Sequence, residues 1–419
     1  MGEYFTMDIY HYSHKIAKGG LILFLGMVLG RVLTYFYVVL ISKLGSSKYG
    51  LISLGFAISL FLSTFALLGL KTGVVRYTSY YMGKKNNRAI KGTILSSIRL
   101  TLPLSLIFAI LLFIFSNQIS INLFHNPDLA PILRLFSFTI PFISLSTLFL
   151  SVINGFQKVE YQTGIKEMLE NFVKLVLTFV LLYFGYDLFG AAIAYVISII
   201  LTFILSFYFL QKKIFPFFIS KLKPILIDRE LFLFSLPLVF TGFLVLIMKW
   251  THVFMIGIFR TTSEVGIYNV ALPTANLLVI VPTALMGLFM PIITELYSKR
   301  KINDVKDISI ITSKWIFFVN LPLFLIILLF SKQILNVAFG FEYAVGYSTL
   351  LILIFGYMAY SLTHPYNSIL SMIKKTNLVL YIMLVTALTS IILGYILIPK
   401  IGIIGGAIAT SFSLFISFL

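Results

Sequence analysis

Long apolar runs separated by short polar breaks constrain this chain more than any other feature. Many of the runs have roughly 20 residues, the length at which a helix rising about 1.5 Å per residue crosses a ~30 Å hydrocarbon layer. Hydrophobic residues make up 59% of the 419 positions and charged residues only 11%. A backbone in lipid must satisfy its own hydrogen bonds, and runs such as 104–115 lack the two-residue alternation of a membrane barrel. The sequence therefore predicts an all-α polytopic membrane protein.

The apolar runs number about twelve, and each predicts one membrane-spanning helix. The predicted spans are 16–40, 51–70, 94–115, 132–153, 165–184, 188–210, 231–258, 267–292, 315–330, 344–370, 378–398 and 401–419. The longest central break, 211–230, carries five basic residues and divides the spans six and six. We therefore expect an N-terminal lobe at 1–213, a basic cytoplasmic linker at 214–230 and a C-terminal lobe at 231–419.

The two halves resemble each other at an offset of about 215 residues. Three pairs of segments match: 49–51 (YGL) with 265–267 (VGI), 190–194 (GAAIA) with 405–409 (GGAIA), and the basic pairs 84–85 and 299–300. Because each lobe has an even number of spans, we expect parallel repeats related by a pseudo-two-fold axis along the membrane normal.

The net charge of +18 is distributed unevenly along the chain. With the N-terminus inside, the inner loops carry 22 Lys and Arg residues and the outer loops only 6. The positive-inside rule then places both termini in the cytoplasm. Topology and lipid headgroups account for the basic excess, so we expect membrane lipids as partners and no nucleic acid.

Four basic residues lie within predicted spans or at their edges: Arg31, Arg99, Lys174 and Lys249. A charge at bilayer depth costs at least about 2.5 kcal/mol, so it usually faces a bundle interior or a water-filled cavity. Arg31 and Lys249 lie at similar depths in the first and seventh spans. None of the 14 acidic residues is central in a span, and the nearest lie at cytoplasmic ends: Glu167, Glu170 and Glu295. This distribution predicts an anion-attracting cavity.

These four basic residues also have structural explanations. Arg31 and Lys249 are compatible with binding backbone carbonyls at a kink or reaching a headgroup, and Arg99 with reaching the inner headgroups from its helix end. Lys174 lies four residues after Glu170, a spacing at which an ion pair would account for both residues.

Two further residues are candidates for gating or protonation, His252 and Glu295. His252 follows Trp250-Thr251 within the seventh predicted span. Histidine titrates near neutral pH, but a single intramembrane histidine is more often a hydrogen-bonded packing residue. Both interpretations stay open at this point.

Motifs of enzyme chemistry are absent from the sequence. It contains no GxxxxGK[ST] phosphate loop, no HExxH, no GxSxG and no cysteine. A membrane transferase acting on lipid-linked sugars would usually show acidic metal ligands in sizeable loops, and the loops here are short. We therefore expect a protein that is not an enzyme, with no catalytic residue, no metal and no cofactor.

Motifs spread over nearly the whole chain carry a family resemblance. They are 30–34 (GRVLT), 44–50 (LGSSKYG) and 73–77 (GVVRY) in the first half, and 265–269 (VGIYN), 291–297 (PIITELY) and 398–402 (IPKIG) in the second. In this order they resemble the polysaccharide biosynthesis flippases, the O-antigen flippase type of the multidrug/oligosaccharidyl-lipid/polysaccharide (MOP) exporter superfamily.

The resemblance implies two six-helix lobes arranged in a MATE-like V around a cationic cavity that alternates between the membrane faces. The implied substrate is a polyprenyl-diphosphate-linked oligosaccharide whose diphosphate meets Arg31 and Lys249. Family members often carry an acidic residue at the position of His252. The resemblance also implies a monomer in the cytoplasmic membrane, working beside a glycan polymerase or glycosyltransferases.

Two other functions stay open on the sequence alone. A multidrug or organic-cation antiporter of the same superfamily would need buried carboxylates to hold cations and protons. A scaffold or regulatory membrane protein would tolerate the loss of the deep cations.

Overall fold

The computed structural model describes residues 26–219, 222–372 and 376–416. Its helices are α1 (Gly26–Ser42), α2 (Ser46–Ala66), α3 (Leu70–Gly83), α4 (Asn87–Gln118), α5 (Leu129–Ser137), α6 (Thr139–Gly155), α7 (Val159–Gln162), α8 (Glu170–Tyr183), α9 (Asp187–Phe209), α10 (Asp228–Phe259), α11 (Thr262–Asn276), α12 (Ile280–Ser298), α13 (Ile302–Phe339), α14 (Tyr347–Met372), α15 (Thr376–Ile401) and α16 (Ile403–Ile416). Turns of π-helix occupy 119–123, 163–169 and 210–214, and turns of 3₁₀-helix occupy 277–279 and 341–346.

The described part of the chain has 8 helices that are long and apolar enough to cross a membrane, and α5 with α6 forms a ninth span bent by 40°. The apolar helices α1 and α16 are shorter, although both overlap predicted spans. Each predicted span coincides with one helix or a helix pair, so the prediction of a helical polytopic membrane protein is confirmed. Residues 16–25 of the first predicted span and 417–419 of the last lie outside the described residues.

The predicted eighth span is not one continuous helix, because a 3₁₀ turn separates α11 from α12. Pro273 lacks an N–H, which leaves the carbonyl of Asn269 without a helical partner. The hydroxyl of Tyr49, on α2, donates a hydrogen bond to that carbonyl at 3.3 Å. At the 3₁₀ turn, the side-chain amide of Asn320 on α13 donates to the Leu278 carbonyl at 2.8 Å. Neighbouring helices thus satisfy the break, as a membrane interior requires.

The loops alternate between the two ends of the bundle. One end carries the basic segments 84–85, 212–213 and 299–301, and we call it the basic end. At the other end the two halves join, because α2 packs along α11 and beside the last turns of α10. We call this the closed end. The side chains of Ser47 and Thr262 hydrogen-bond across it, with 3.1 Å between their hydroxyl oxygens.

At the basic end, the segment between the halves packs on α4. The backbone N–H of Ile225 donates to the carbonyl of Arg88 at 3.1 Å. A Cβ atom on Gly92 would lie 1.7 Å from the Ile225 carbonyl oxygen, so only glycine allows this approach. The start of α10 is therefore held against the first half of the chain.

Candidate functional site

Two glycines of α1 pack against the π-helical segment 163–169. A Cβ on Gly26 would lie 2.1 Å from the Thr163 methyl group, and one on Gly30 would lie 2.7 Å from the Glu167 carbonyl oxygen. Glycines four residues apart allow helix backbones to approach closely in membranes. Since Arg31 follows Gly30, this crossing places the arginine next to the segment that carries Glu167.

Arg31 and Lys249 lie at nearly the same depth in the two halves. Arg31 stands 11 residues before the end of α1, and Lys249 stands 10 residues before the end of α10. At 1.5 Å per residue, both are about 15 Å from the closed end. Both side chains are exposed although they lie deep within spans, so they line an open space. Lys249 interacts electrostatically with Arg31 and Glu167, and Arg31 interacts with Tyr357 of α14.

Lys174 is a buried cation between α1 and α8. Its Nζ donates to the side-chain oxygen of Asn171 at 2.9 Å and lies 4.5 Å from the centre of the Tyr37 ring. Glu170 forms its ion pair with Lys166 at 2.7 Å, in the opposite direction along the helix from the pairing that the sequence suggested. Lys174 thus interacts directly with Asn171 and the Tyr37 ring, and electrostatically with Glu170 and Glu167.

Two carboxylates lie closer to the cations than the sequence indicated. Glu170 is only 6% exposed, and Glu167 interacts with Lys249. The helical segment begins at Val159, so Glu167 lies about 12 Å beyond its start. The π-helical turn also changes which face these side chains occupy. The prediction that Glu167 and Glu170 lie at a helix end is therefore wrong. Basic residues still outnumber these two carboxylates in the cluster. The cations of this cluster are Arg31, Lys166, Lys174 and Lys249.

Aromatic rings continue the site from Lys249. The Lys249 Nζ lies 5.7 Å from the centre of the adjacent Trp250 ring. Trp250 packs edge-on against Phe56 of α2 at 5.3 Å, and Phe56 packs against Tyr195 of α9 at 5.2 Å. Among the described residues the buried indole N–H of Trp250 has no hydrogen-bond partner. The site therefore combines cations with aromatic faces, which suits a ligand with both anionic and sugar or lipid parts.

Two of the predicted site residues lie away from this cluster. Arg99 pairs with Asp228 at 3.4 Å at the start of α10, and its side chain is 61% exposed. Glu295 is exposed near the basic end of α12 and pairs with Lys299 at 2.5 Å. The structure therefore brings together Arg31, Lys249 and Lys174, but neither Arg99 nor Glu295 joins them.

His252 lies in a separate polar cage within the second half. Its Nδ1 is 3.0 Å from the Thr410 hydroxyl, and its Nε2 is 3.3 Å from the Ser390 hydroxyl. The hydroxyl of Tyr268 lies 2.7 Å from that of Thr410. The cage links α10, α11, α15 and α16 through hydroxyl groups, which favours the packing interpretation of this histidine.

The structure is thus a bundle of membrane-spanning helices in which each half contributes one accessible deep cation. The family model for polysaccharide biosynthesis proteins matches residues 16–297, and the MatE model matches residues 237–396. The chain belongs to the polysaccharide biosynthesis protein family. The resemblance seen in the sequence motifs is thereby confirmed.

Two curated relatives are similar in sequence. An uncharacterized membrane protein of Methanocaldococcus jannaschii is 28% identical over 377 residues, which cover 85% of this chain and 73% of the relative. The probable low-salt glycan biosynthesis flippase Agl15 of Haloferax volcanii is 27% identical over 165 residues, which cover 39% of this chain and 35% of the relative.

Two solved structures show the same fold. An inward-facing multidrug resistance MATE family transporter has a TM-score of 0.75 at 15% identity, with 96% of both chains covered. The lipid II flippase MurJ in an inward closed conformation has a TM-score of 0.72 at 20% identity, with 95% of this chain and 86% of MurJ covered. These similarities confirm the expected MATE-like fold.

Proposed function

We propose that this protein flips a polyprenyl-diphosphate-linked oligosaccharide across the cytoplasmic membrane by alternating access. The observation that carries the proposal is the pair of accessible cations, Arg31 and Lys249, at equal depth in the two halves. A diphosphate is a compact anion that two cations can bind together. Agl15 is named as a probable glycan biosynthesis flippase and MurJ as a lipid II flippase, which supports a lipid-linked glycan as substrate.

In this proposal, different parts of the substrate occupy different parts of the site. The diphosphate binds between Arg31 and Lys249 and competes with Glu167 for Lys249. The sugars occupy the open space beside the aromatic faces of Trp250 and Phe56. When the halves separate at the closed end and approach each other at the basic end, the anion is presented to the other membrane face.

The basic end faces the cytoplasm in this proposal, so both termini are cytoplasmic. The chain has no cysteine, which permits a direct test by single-cysteine labelling. Asp128→Cys, exposed at the closed end, should react with an impermeant maleimide from outside the cell, and Asn86→Cys, near the basic end, should react only after permeabilisation. The reverse pattern would overturn the orientation. A monomer working beside a glycan polymerase or glycosyltransferases is part of the same proposal.

The double variant Arg31→Ala with Lys249→Ala tests the cationic site in proteoliposomes that contain a fluorescent lipid-linked oligosaccharide. A hydrogen bond to a charged group contributes about 1.5–3 kcal/mol, so losing both cations should lower transport at least tenfold. Arg31→Lys with Lys249→Arg retains the charges and should recover most of the activity. Lys332→Ala removes an exposed cation near the closed end and serves as the control. Unchanged transport by a well-folded double alanine variant would reject the cationic mechanism.

A multidrug or organic-cation antiporter is a second candidate, favoured by the MatE match and by the carboxylates Glu167 and Glu170 near the cavity. If the protein is an antiporter, the double variant Glu167→Gln with Glu170→Gln should lose efflux of a cationic dye. If it is a flippase, the substitutions at Arg31 and Lys249 should lower transport most. Dye efflux by wild-type proteoliposomes that do not move the lipid-linked glycan would select the antiporter.

A further inference from the structure

An apolar groove of about 680 Å³ opens between α2, α4 and α10, outside the charged cluster. This volume is within the range of roughly 300–1,000 Å³ that is usual for ligand sites. Its lining includes Phe61, Leu111, Phe115, Gln118, Phe254 and Ile258. Among the described residues that line the groove, Gln118 is the one with a polar side-chain group, so the groove suits an occupant made of hydrocarbon.

The groove lies within membrane-spanning segments, close to the closed end. Phe254 and Ile258 are in the last turns of α10, and Leu111 and Phe115 are in the matching half of α4. Leu111 and Phe115 are exposed, whereas Leu112 in the floor is buried. The surrounding medium at this depth is lipid rather than water. A chain of lipid can therefore enter from the side.

Aromatic side chains connect this groove to the cationic site. Phe254, in the groove, follows Trp250 by one helical turn of α10. Phe61 of α2 packs against Phe254 at 5.7 Å, and Phe56 of α2 packs against Trp250 at 5.3 Å. A ligand headgroup beside Lys249 is thus about 7.5 Å along the helix axis from the groove, at 1.5 Å per residue.

We propose that this groove binds the isoprenoid chain of the substrate while the diphosphate is held at Arg31 and Lys249. The inference rests on the proposed function, and it assigns the hydrocarbon part of the substrate to residues of both halves. Because α2 and α4 belong to one half and α10 to the other, a chain in the groove contacts both sides of the joint that must open. The isoprenoid chain therefore already lies in the receiving leaflet before the headgroup moves to that side.

A chain-length comparison tests the groove. Leu111→Trp fills the groove from α4, Ile258→Trp fills it from α10, and Ile114→Trp adds the same bulk to an exposed position of α4 outside the groove. Transport is measured for two substrates with the same headgroup, one with a long polyprenyl chain and one with two isoprene units. Either filling variant should lower long-chain transport about tenfold, a loss of about 1.4 kcal/mol of binding. Short-chain transport should stay within twofold of wild type, as should both activities of Ile114→Trp.

Equal losses for both chain lengths, or no loss for the long chain in folded filling variants, would overturn the groove assignment. A wild-type protein that moves neither substrate would reject the proposed function instead. In that case, the occupant of the groove is identified by photolabelling the wild-type protein with a polyprenyl phosphate that carries a diazirine on its isoprenoid chain. Crosslinks to segments 108–124 and 254–258 that unlabelled polyprenyl phosphate displaces support the inference. Equal displacement by phosphatidylglycerol would show that the groove binds bulk lipid without selectivity. Absence of these crosslinks would show that it does not bind the polyprenyl chain.

Discussion

Gly50 of α2 and Gly266 of α11 form a reciprocal contact at the closed end. A Cβ on Gly50 would lie 1.8 Å from the carbonyl oxygen of Thr262, and a Cβ on Gly266 would lie 2.0 Å from that of Ser46. Each glycine thus meets the residue four positions before the other. The sequence repeat had matched the segments around these two glycines, and the structure brings those segments together across the joint between the halves.

Gly50→Ala and Gly266→Ala should each weaken the closed end. The added methyl group requires the two backbones to separate, and overpacking of this kind costs about 1–3 kcal/mol. The cysteine-free chain provides the measurement, because Ser47→Cys and Thr262→Cys replace hydroxyls 3.1 Å apart and should form a disulfide when this end is closed. We expect the disulfide yield and the transport rate to fall together. Gly83→Ala is the control, since its Cβ would meet nothing within 4 Å.

Glu342 supplies a helix cap from one half of the chain to the other. The N-cap of α2 is Gly45, which has no side chain, and the backbone N–H of Ser46 donates to Glu342 Oε2 at 3.1 Å. The hydroxyl of Ser46 also donates to the Glu342 carboxylate. A carboxylate at a helix N-terminus is favourable because the helix dipole is positive there.

Glu342→Ala should therefore favour opening of the closed end, by the roughly 0.5–2 kcal/mol that a lost N-cap costs. The same disulfide reporter should form more slowly in this variant, and Glu342→Gln should lie between it and wild type. Asp128→Asn neutralises an exposed carboxylate near the same end and should change nothing. Equal disulfide yields in all four proteins would show that the interaction does not hold the halves together.

His252→Ala should destabilise the second half without changing how transport depends on pH. The Thr410 hydroxyl keeps its hydrogen bonds to Tyr268 and the Gly406 carbonyl, so the loss falls on the Ser390 hydroxyl, and an unsatisfied buried polar group costs about 1–3 kcal/mol. Thermal unfolding in detergent measures this loss, and His252→Asn should recover part of it. Because hydroxyls rather than carboxylates surround the ring, we expect it to stay neutral. A pH profile of transport that is altered in His252→Asn would instead support a protonation role.

The spans were predictable from sequence because lipid imposes one requirement, about 20 apolar residues with internally satisfied backbone groups. Structural details that depend on contacts with neighbouring helices could not be predicted from the sequence. Pro273 indicates where a helix weakens, but only the fold shows that Tyr49 of the other half satisfies the free carbonyl of Asn269. The helix α13 is longer than the predicted span 315–330, because its first turns are polar and hydropathy does not detect them.

The cations of the site were easier to predict than its carboxylates. Arg31 and Lys249 interrupt apolar runs, which makes a charge conspicuous. Glu167 lies where hydropathy sets a helix boundary, so it was assigned to the helix end. The signal for its true position was the four-residue spacing of Gly26 and Gly30, a pattern for close helix approach. The sequence does not name the helix that these glycines contact, so it did not place Glu167 beside Arg31.

Glu167→Gln should bind the anionic substrate more tightly and transport it more slowly. The variant removes a carboxylate that interacts electrostatically with Lys249, so an incoming diphosphate no longer competes with it for that cation. We expect the Kd for a soluble polyprenyl diphosphate analogue to fall about threefold to tenfold, equivalent to about 0.6–1.4 kcal/mol. Release of the diphosphate should slow because no carboxylate competes with it for Lys249, and the turnover rate should fall with it.

Matched measurements on Glu160→Gln separate this local effect from a general loss of negative charge, since Glu160 is exposed and pairs with Lys158 at the basic end. This control should bind and transport as wild type does. If Glu167→Gln instead binds the analogue more weakly, the carboxylate orients the two cations rather than competing with the substrate. Tighter binding together with slower transport would identify Glu167 as the group that returns the site to its empty state after each cycle.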